Sequence, residues 1–137
     1  MRISKNEALL LRELGERYMA YASLPAQKEK LNLWKALNRL SMERPMVVID
    51  QVPWQELEAL DPDALQLKII HPYWRGVEQN LRRSIYQWEN FPADMVLEPY
   101  ITIPAEVCDS GFGIVPEATD ESGYTNAQTH VFRPLVA

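Results

Sequence analysis

Cysteine and histidine are scarce in this chain, and their scarcity excludes two kinds of site. The 137 residues include one cysteine, Cys108, and two histidines, His71 and His130. A single thiol cannot form a disulfide within the chain, and the spacing of these three residues matches no zinc-binding motif. The sequence therefore predicts neither an internal disulfide nor a metal site of its own.

Long apolar runs and an excess of positive charge are also missing. No stretch approaches the ~20 apolar residues that a membrane-spanning helix needs. Glu7 and Arg12 interrupt any apolar region of the signal-peptide kind near the N-terminus. With 14 basic and 19 acidic residues, the formal net charge of −5 disfavours nucleic acids and anionic membrane surfaces as partners. We therefore expect a cytoplasmic protein that binds neither nucleic acid nor membranes.

The spacing of apolar residues and the positions of proline predict four helices in a chain that is 47% hydrophobic, enough for one domain with a core. Residues 4–22 place Leu and Tyr at helical spacing, and Ser4 followed by Glu7 fits a capping box. A second helix is expected over residues 25–40 and a short one over 53–60. The strongest pattern runs from Pro72, where Trp, Val, Leu and Ile recur at steps of three and four.

Two short apolar runs, each ending in a carboxylate, are the most informative feature. Residues 46–50 lie in RPMVVIDQVPW, and residues 95–98 lie in PADMVLEPYITIP. Such runs, bounded by Pro, are typical of strands buried on both faces. Two strands joined through a helix form a parallel βαβ unit, so we expect an α/β fold. Residues 65–70 alternate apolar and polar side chains and predict a short edge strand.

Chemistry in α/β folds is placed at the C-terminal ends of parallel strands, which makes Asp50 and Glu98 the candidate catalytic residues. Asp50 and the neighbouring Gln51 fit the lining of a pocket, and Asp50 equally fits a helix cap or turn. Trp54 follows in the loop and is a candidate pocket residue. Glu98 either serves a site or forms an ion pair with Arg44 or an arginine of the long helix. Those helix arginines, at positions 75, 82 and 83, are expected on a solvated face.

At these segments the sequence resembles the uroporphyrinogen decarboxylase superfamily, which includes corrinoid-dependent methyltransferases. RPMVVIDQVPW is similar to the family's first barrel strand, residues 74–88 to the helix that follows, and PADMVLEPYITIPAEV with the next Gly-Phe-Gly to the second strand and its loop. The resemblance spans roughly residues 24–113. It implies a TIM-barrel-type fold with a helical extension (1–43), the first two βα units (44–115) and a polar, turn-rich tail (116–137).

Departures from the decarboxylase pattern favour the methyltransferase-like branch. The family's decarboxylases carry an arginine-rich turn after the first strand, where this chain reads Asp50-Gln51-Val52-Pro53. Their essential Asp at the end of the second strand falls here on Pro99, one residue after Glu98. A polyanionic porphyrinogen needs cations to match its charge. A porphyrinogen decarboxylase fragment is therefore the less favoured alternative.

The resemblance implies the N-terminal portion of a methyltransferase or demethylase that acts on small methylated compounds. Asp50, Gln51 and Trp54 would line the pocket from the first strand, and Glu98 and Tyr100 from the second. Its small-molecule substrate, its corrinoid protein partner and any corrinoid or zinc belong to the complete protein. A barrel needs eight βα units and about 250 residues, so this chain is expected to be inactive alone.

Other interpretations stay open. Strand edges without partners invite association, which predicts self-association of the chain. The chain also fits an assembly module that docks on a separate partner, or a small α+β binding domain for which the resemblance is coincidental.

Overall fold

The computed structural model describes residues 3–102 and the backbone of 117–119 and 129–131. The chain divides into two compact units, Met1–Ile103 and Pro104–Ala137. The described part of the first unit contains only helices and irregular segments: α1 (Lys5–Ala22), α2 (Pro25–Asn38), α3 (Trp54–Leu60), α4 (Pro62–Leu65) and α5 (Pro72–Asn90). In the second unit, β1 (Glu117–Thr119) pairs antiparallel with β2 (Thr129–Val131), with Ala118 opposite His130.

The first two helices begin where the sequence predicts. The Ser4 hydroxyl accepts the Glu7 backbone N–H at 3.2 Å, and the Glu7 carboxylate accepts the Ser4 N–H at 2.9 Å, so the capping box is confirmed. Pro25 occupies the first turn of α2, where its missing N–H costs nothing. This helix ends before the predicted residue 40, because Leu40 adopts a positive φ of 59° and lies outside the helix.

The core lies between α1 and α5. The apolar side chains of each helix recur at intervals of three or four residues and so fall on one face. Each fully buried aliphatic side chain of this kind contributes about 1.5–3 kcal/mol. The buried members are Leu14, Tyr18 and Ala22 of α1, Val77, Leu81 and Ile85 of α5, and Leu97 after α5.

The two predicted parallel strands are not strands in the structure. Residues 46–50 and 95–98 are irregular, and a single backbone–backbone hydrogen bond, from the Asp94 N–H to the Val47 carbonyl at 3.2 Å, joins the two regions. Val47 and Val48 are 53% and 64% exposed. A strand of the buried type needs paired neighbours on its edges, and the described residues provide none. The helical part of the expected α/β fold is therefore observed, without the sheet.

The expected edge strand at residues 65–70 is also wrong, and so is the solvated face expected around Arg82. Glu78 is fully buried, and its carboxylate accepts the Lys68 and Ile69 N–H groups and the Arg82 Nε–H. Arg82 in turn donates to the Ala64 carbonyl at 2.8 Å. These bonds satisfy the backbone of the segment through α5, so no strand partner is needed.

The sequence also predicts a helical turn at 104–109 and a strand at 114–115. Both lie outside the residues that the structure describes. The pairing of β1 with β2 lies in the tail that the sequence predicts to be polar and turn-rich, and no sequence signal anticipated it. None of the described helices combines the length and apolar character needed to cross a membrane.

Candidate functional site

Glu98 reaches the surface because the residue before it is firmly anchored. Leu97 is only 2% exposed, and its N–H donates to the Oε1 atom of Gln27 at 2.8 Å. Gln27, itself buried in α2, donates to the Tyr21 carbonyl at 3.0 Å. Holding Leu97 inward turns the next side chain outward, so Glu98 is exposed.

Glu98 and Tyr100 meet beside Tyr18 at a small open cavity of about 180 Å³. The Tyr18 hydroxyl donates to the Tyr100 carbonyl at 3.5 Å. This contact connects α1 with the segment that carries Glu98. Asn80 of α5, Val96, Ile101 and Thr102 complete the lining.

The carboxylate of Glu98 changes the acidity of both phenols. A side-chain hydrogen bond to Glu98 is the main cause that raises the pKa of the Tyr100 hydroxyl. Burial raises the pKa of the Tyr18 hydroxyl, and the charge of Glu98 raises it further. Both phenols therefore remain protonated hydrogen-bond donors beside the carboxylate. The arrangement suits a small polar or cationic ligand.

The ion pairs that offered an alternative role for Glu98 have other partners. Arg44 binds both carboxylate oxygens of Asp94, at 2.6 and 2.9 Å, and Arg82 binds Glu78. Among the described residues Glu98 forms no salt bridge. The structural ion pair is thus not observed within residues 3–102.

Asp50, Gln51 and Trp54 lie apart from the Glu98 cavity. Asp50 and Gln51 are exposed, and Asp50 caps no helix, because the N-cap of α3 is Pro53. Trp54 packs edge-on against Tyr86 and borders a separate open cavity of about 310 Å³ on α5. The structure therefore brings together the two site residues of the second segment but not those of the first.

Asp94 is the acidic residue that sequence reasoning missed. It is 6% exposed, and the Arg44 guanidinium and then the Val47 N–H hold its pKa well below the ordinary value of 3.8. Tyr18 was also missed as a site residue, since its position on an apolar helical stripe indicates core packing. The sequence signal for Asp94 was an acid within an apolar stretch, which it shares with Glu98. Only the fold shows that one is buried and the other exposed.

Among the described residues no group of three or more His, Cys, Asp or Glu side chains could hold a metal ion. The Glu98 cavity presents one carboxylate as an acceptor, and its two phenolic hydrogens bond to the Tyr100 carbonyl and to Glu98. No protein-family model, curated protein or solved structure matches this chain.

Proposed function

We propose that the chain supplies the N-terminal helices and the first two strand segments of a uroporphyrinogen decarboxylase-like methyltransferase barrel. The complete protein would act in the cytoplasm on small methylated compounds, with a corrinoid protein as partner. This chain alone would be inactive. The proposal draws on the resemblance of the two acid-ended segments, and one structural observation supports it.

That observation is the contact between the two segments. The Val47 N–H donates to the Asp94 carboxylate at 2.8 Å, and the Asp94 N–H donates to the Val47 carbonyl at 3.2 Å. Gln87 of the intervening helix α5 donates to the Ile49 carbonyl at 2.9 Å. A contact between the two segments, with the intervening helix bonded to the first, is compatible with the start of a βα-barrel.

In this proposal Glu98 and Tyr100 line the pocket from the second segment, and Glu98 acts as an acid or hydrogen-bond acceptor that polarises the substrate. A methylated ammonium group would be attracted to the Glu98 carboxylate and to the faces of Tyr18 and Tyr100. The corrinoid, carried by the partner protein, would supply the methyl acceptor. Asp50, Gln51 and Trp54 would line the pocket only once later barrel segments enclose it. Any zinc ligands would come from later strands of the complete protein.

Porphyrinogen decarboxylation is less well supported. Arg44, the arginine nearest in sequence to the first segment, is bound to Asp94 through both carboxylate oxygens. Its charge is therefore already matched within the protein. A polyanionic substrate would meet Asp50 at the end of the first segment and Glu98 at the end of the second.

The first test is to read the coding DNA beyond the codon for Ala137. We expect an open frame that encodes six further βα units and a His/Cys ligand set, since a barrel has eight units. A stop codon with no barrel-encoding frame downstream would overturn the proposal.

The second test replaces Glu98 with Gln in that complete protein. We expect methyl transfer from small methylated amines to fall by about 100-fold, the lower end of what a positioned acid–base group contributes. Asp63→Asn, an exposed change on α4, is the matched control and should leave turnover unchanged. Unchanged turnover in Glu98→Gln with lowered stability would assign Glu98 a structural role instead.

A further inference from the structure

Arg83 of α5 is a half-buried arginine without an anionic partner among residues 3–102. Of the arginines in that range, only Arg82 and Arg83 are not exposed. Arg82 is bound to Glu78, whereas none of the salt bridges between described residues includes Arg83. The guanidinium hydrogen bonds in this range all come from other arginines. The N–H donors of Arg83 therefore have no acceptor among the described residues.

Trp54 fixes how the Arg83 guanidinium is presented. The guanidinium carbon lies over the Trp54 ring, 5.1 Å from its centroid. Because the guanidinium is planar, contact with a ring through one face leaves the N–H groups around its edge available. Trp54 is itself packed edge-on against Tyr86 and tilted against Phe91. The N–H fork is thus held in place before a ligand arrives, which reduces the ordering cost of binding.

The charge of Arg83 is also partly removed from water. Burial lowers the pKa of the guanidinium, and the negative charge of Glu58 raises it again. Glu58 does not satisfy this cation, because the two residues form no salt bridge and Glu58 does not line the cavity beside Arg83. A partly desolvated cation is attracted to an added anion more strongly than a fully hydrated one is.

The cavity beside Arg83 presents hydrogen-bond donors, and none of its described lining residues is acidic. Its volume of about 310 Å³ is at the lower limit of small-molecule sites. Ser84 Oγ donates to Asn80 Oδ1 at 3.2 Å, which leaves the Asn80 amide N–H groups for a ligand. Gln87 is held by its bond to the Ile49 carbonyl at 2.9 Å. The other lining residues are Trp54, Gly76 and Gln79.

We propose that this cavity binds a small organic carboxylate, with Arg83 donating to both carboxylate oxygens and Asn80 donating to one of them. Asn80 and Arg83 are three residues apart and so are neighbours on one helical face. The planar N–H fork matches the two oxygens of a carboxylate. The described lining offers no second cation, so its single positive charge suits a carboxylate better than a phosphate with its charge of about −2. The inference does not depend on membership of a barrel.

NMR titration of the full chain with sodium propionate tests the site directly. The Arg83 Nε–H signal, assigned by its absence from Arg83→Gln, reports on the guanidinium itself. We expect a saturable shift of this signal and of the Asn80 side-chain amide signals. Sodium chloride at the same ionic strength is the control and should produce neither shift. A shift that never saturates, or one that chloride reproduces, would overturn the proposal.

Arg83→Lys separates the positive charge from the planar fork of donors. Lysine keeps the charge but cannot bind both oxygens in the same plane. We expect the dissociation constant for propionate, followed at the Asn80 amide, to rise by about tenfold. Arg12→Lys, the same change at an exposed position of α1, is the matched control and should leave the constant unaltered. Equal affinity in Arg83→Lys and the wild type would contradict the proposed contact.

Asn80→Asp and inorganic phosphate test the chemistry of the ligand. Asn80→Asp places a negative charge beside Arg83 and should abolish saturable propionate binding, so binding that persists in the folded variant would overturn the proposal. Phosphate should bind more weakly than propionate at equal ionic strength, and tighter phosphate binding would refute the choice of a carboxylate. Circular dichroism should show unchanged helicity in all variants. These results concern binding by the chain itself, so the coding sequence and turnover of the complete protein test the proposed function separately.

Discussion

At the scale of single residues, three acidic side chains differ in their burial and in their hydrogen-bond partners. Glu78 and Asp94 are buried, and each binds one arginine. Glu78 also accepts two backbone N–H groups, and Asp94 accepts one. Glu98 is exposed and lies against two phenols. The first two carboxylates fix irregular segments by accepting their backbone N–H groups, a role that strand pairing would have in a sheet. The third is the one left free to meet a ligand.

Glu78→Gln should lower the free energy of unfolding by about 3–5 kcal/mol, since it leaves Arg82 buried without a counter-charge. Urea denaturation followed by circular dichroism measures this loss. The control is Arg17→Ala, which removes an ion pair to Glu89 whose arginine side chain is 54% exposed. Such surface pairs contribute about 0–1 kcal/mol. Equal losses in the two variants would contradict a structural role for the buried pair.

Asp94 should make stability depend on acid pH. Its folded-state pKa is lowered by Arg44 and by the Val47 N–H, so its contribution is complete above the ordinary pKa of 3.8. That contribution is lost as the pH falls from there through the lowered folded-state value. Asp94→Asn should therefore unfold at a lower temperature than the wild type at neutral pH, and the difference should shrink in acid. A difference in melting temperature that is constant with pH would refute this role.

At the scale of elements, three side chains on one face of α2 bind the segment that follows α5. Lys30 Nζ donates to the Ala93 carbonyl at 2.7 Å and Trp34 Nε1 to the Asp94 carbonyl at 2.8 Å. Gln27 accepts from Leu97. The positions 27, 30 and 34 are neighbours on one helical face. The helix thus takes the place that a neighbouring strand would have in a sheet.

Gln27→Ala should destabilise the protein by about 1–3 kcal/mol, because it leaves the buried Leu97 N–H without a partner. Amide hydrogen exchange should show faster exchange at Leu97 than in the wild type. Lys28→Ala, on the exposed side of α2, should change neither quantity. Unchanged protection of Leu97 in Gln27→Ala would show that the segment is held by other contacts.

The sequence predicted helices better than strands, because the signals for a helix lie within one turn of the chain. The capping box of Ser4 and Glu7 and the prolines at positions 25 and 72 act within one turn of chain. A strand at residues 46–50 depends on neighbours distant in sequence, and the apolar run does not supply them. Its Val and Ile side chains fit a buried strand, yet they are exposed here.

At the scale of the whole molecule, the core seen among the described residues belongs to the unit Met1–Ile103. Its buried members lie between Leu14 and Leu97. The unit Pro104–Ala137 contains the short β1–β2 pair, whose six residues form too small a sheet to be stable alone. The buried apolar side chains of the first unit are therefore expected to supply most of the favourable free energy that folds residues 3–102.

A chain cut after Ile103 should keep the helical circular dichroism of the full chain and unfold cooperatively at a similar temperature. Thermal melts of both chains at the same low concentration measure this. The comparison chain, cut after Asn90, removes Asp94 and Leu97 and should unfold at a clearly lower temperature. Loss of cooperative unfolding in the first truncation would contradict a self-contained core.

Only part of the candidate site could be predicted from the sequence. Glu98 and Tyr100 were expected to line one pocket, and the structure places both at the same cavity. Asp50, Gln51 and Trp54 were expected beside them and lie elsewhere. Tyr18 joined the site without a sequence signal, since a Tyr on an apolar stripe reads as core. Their catalytic and binding roles stay predictions.

The sequence by itself determined the helices, since capping residues, prolines and apolar spacing act over a few neighbouring residues. It also determined the low basic charge and the lack of a disulfide. The tertiary structure alone decided which acid is buried and which cavity Glu98 borders. These outcomes depend on contacts between residues tens of positions apart, and burial and hydrogen bonding become defined only when the helices pack.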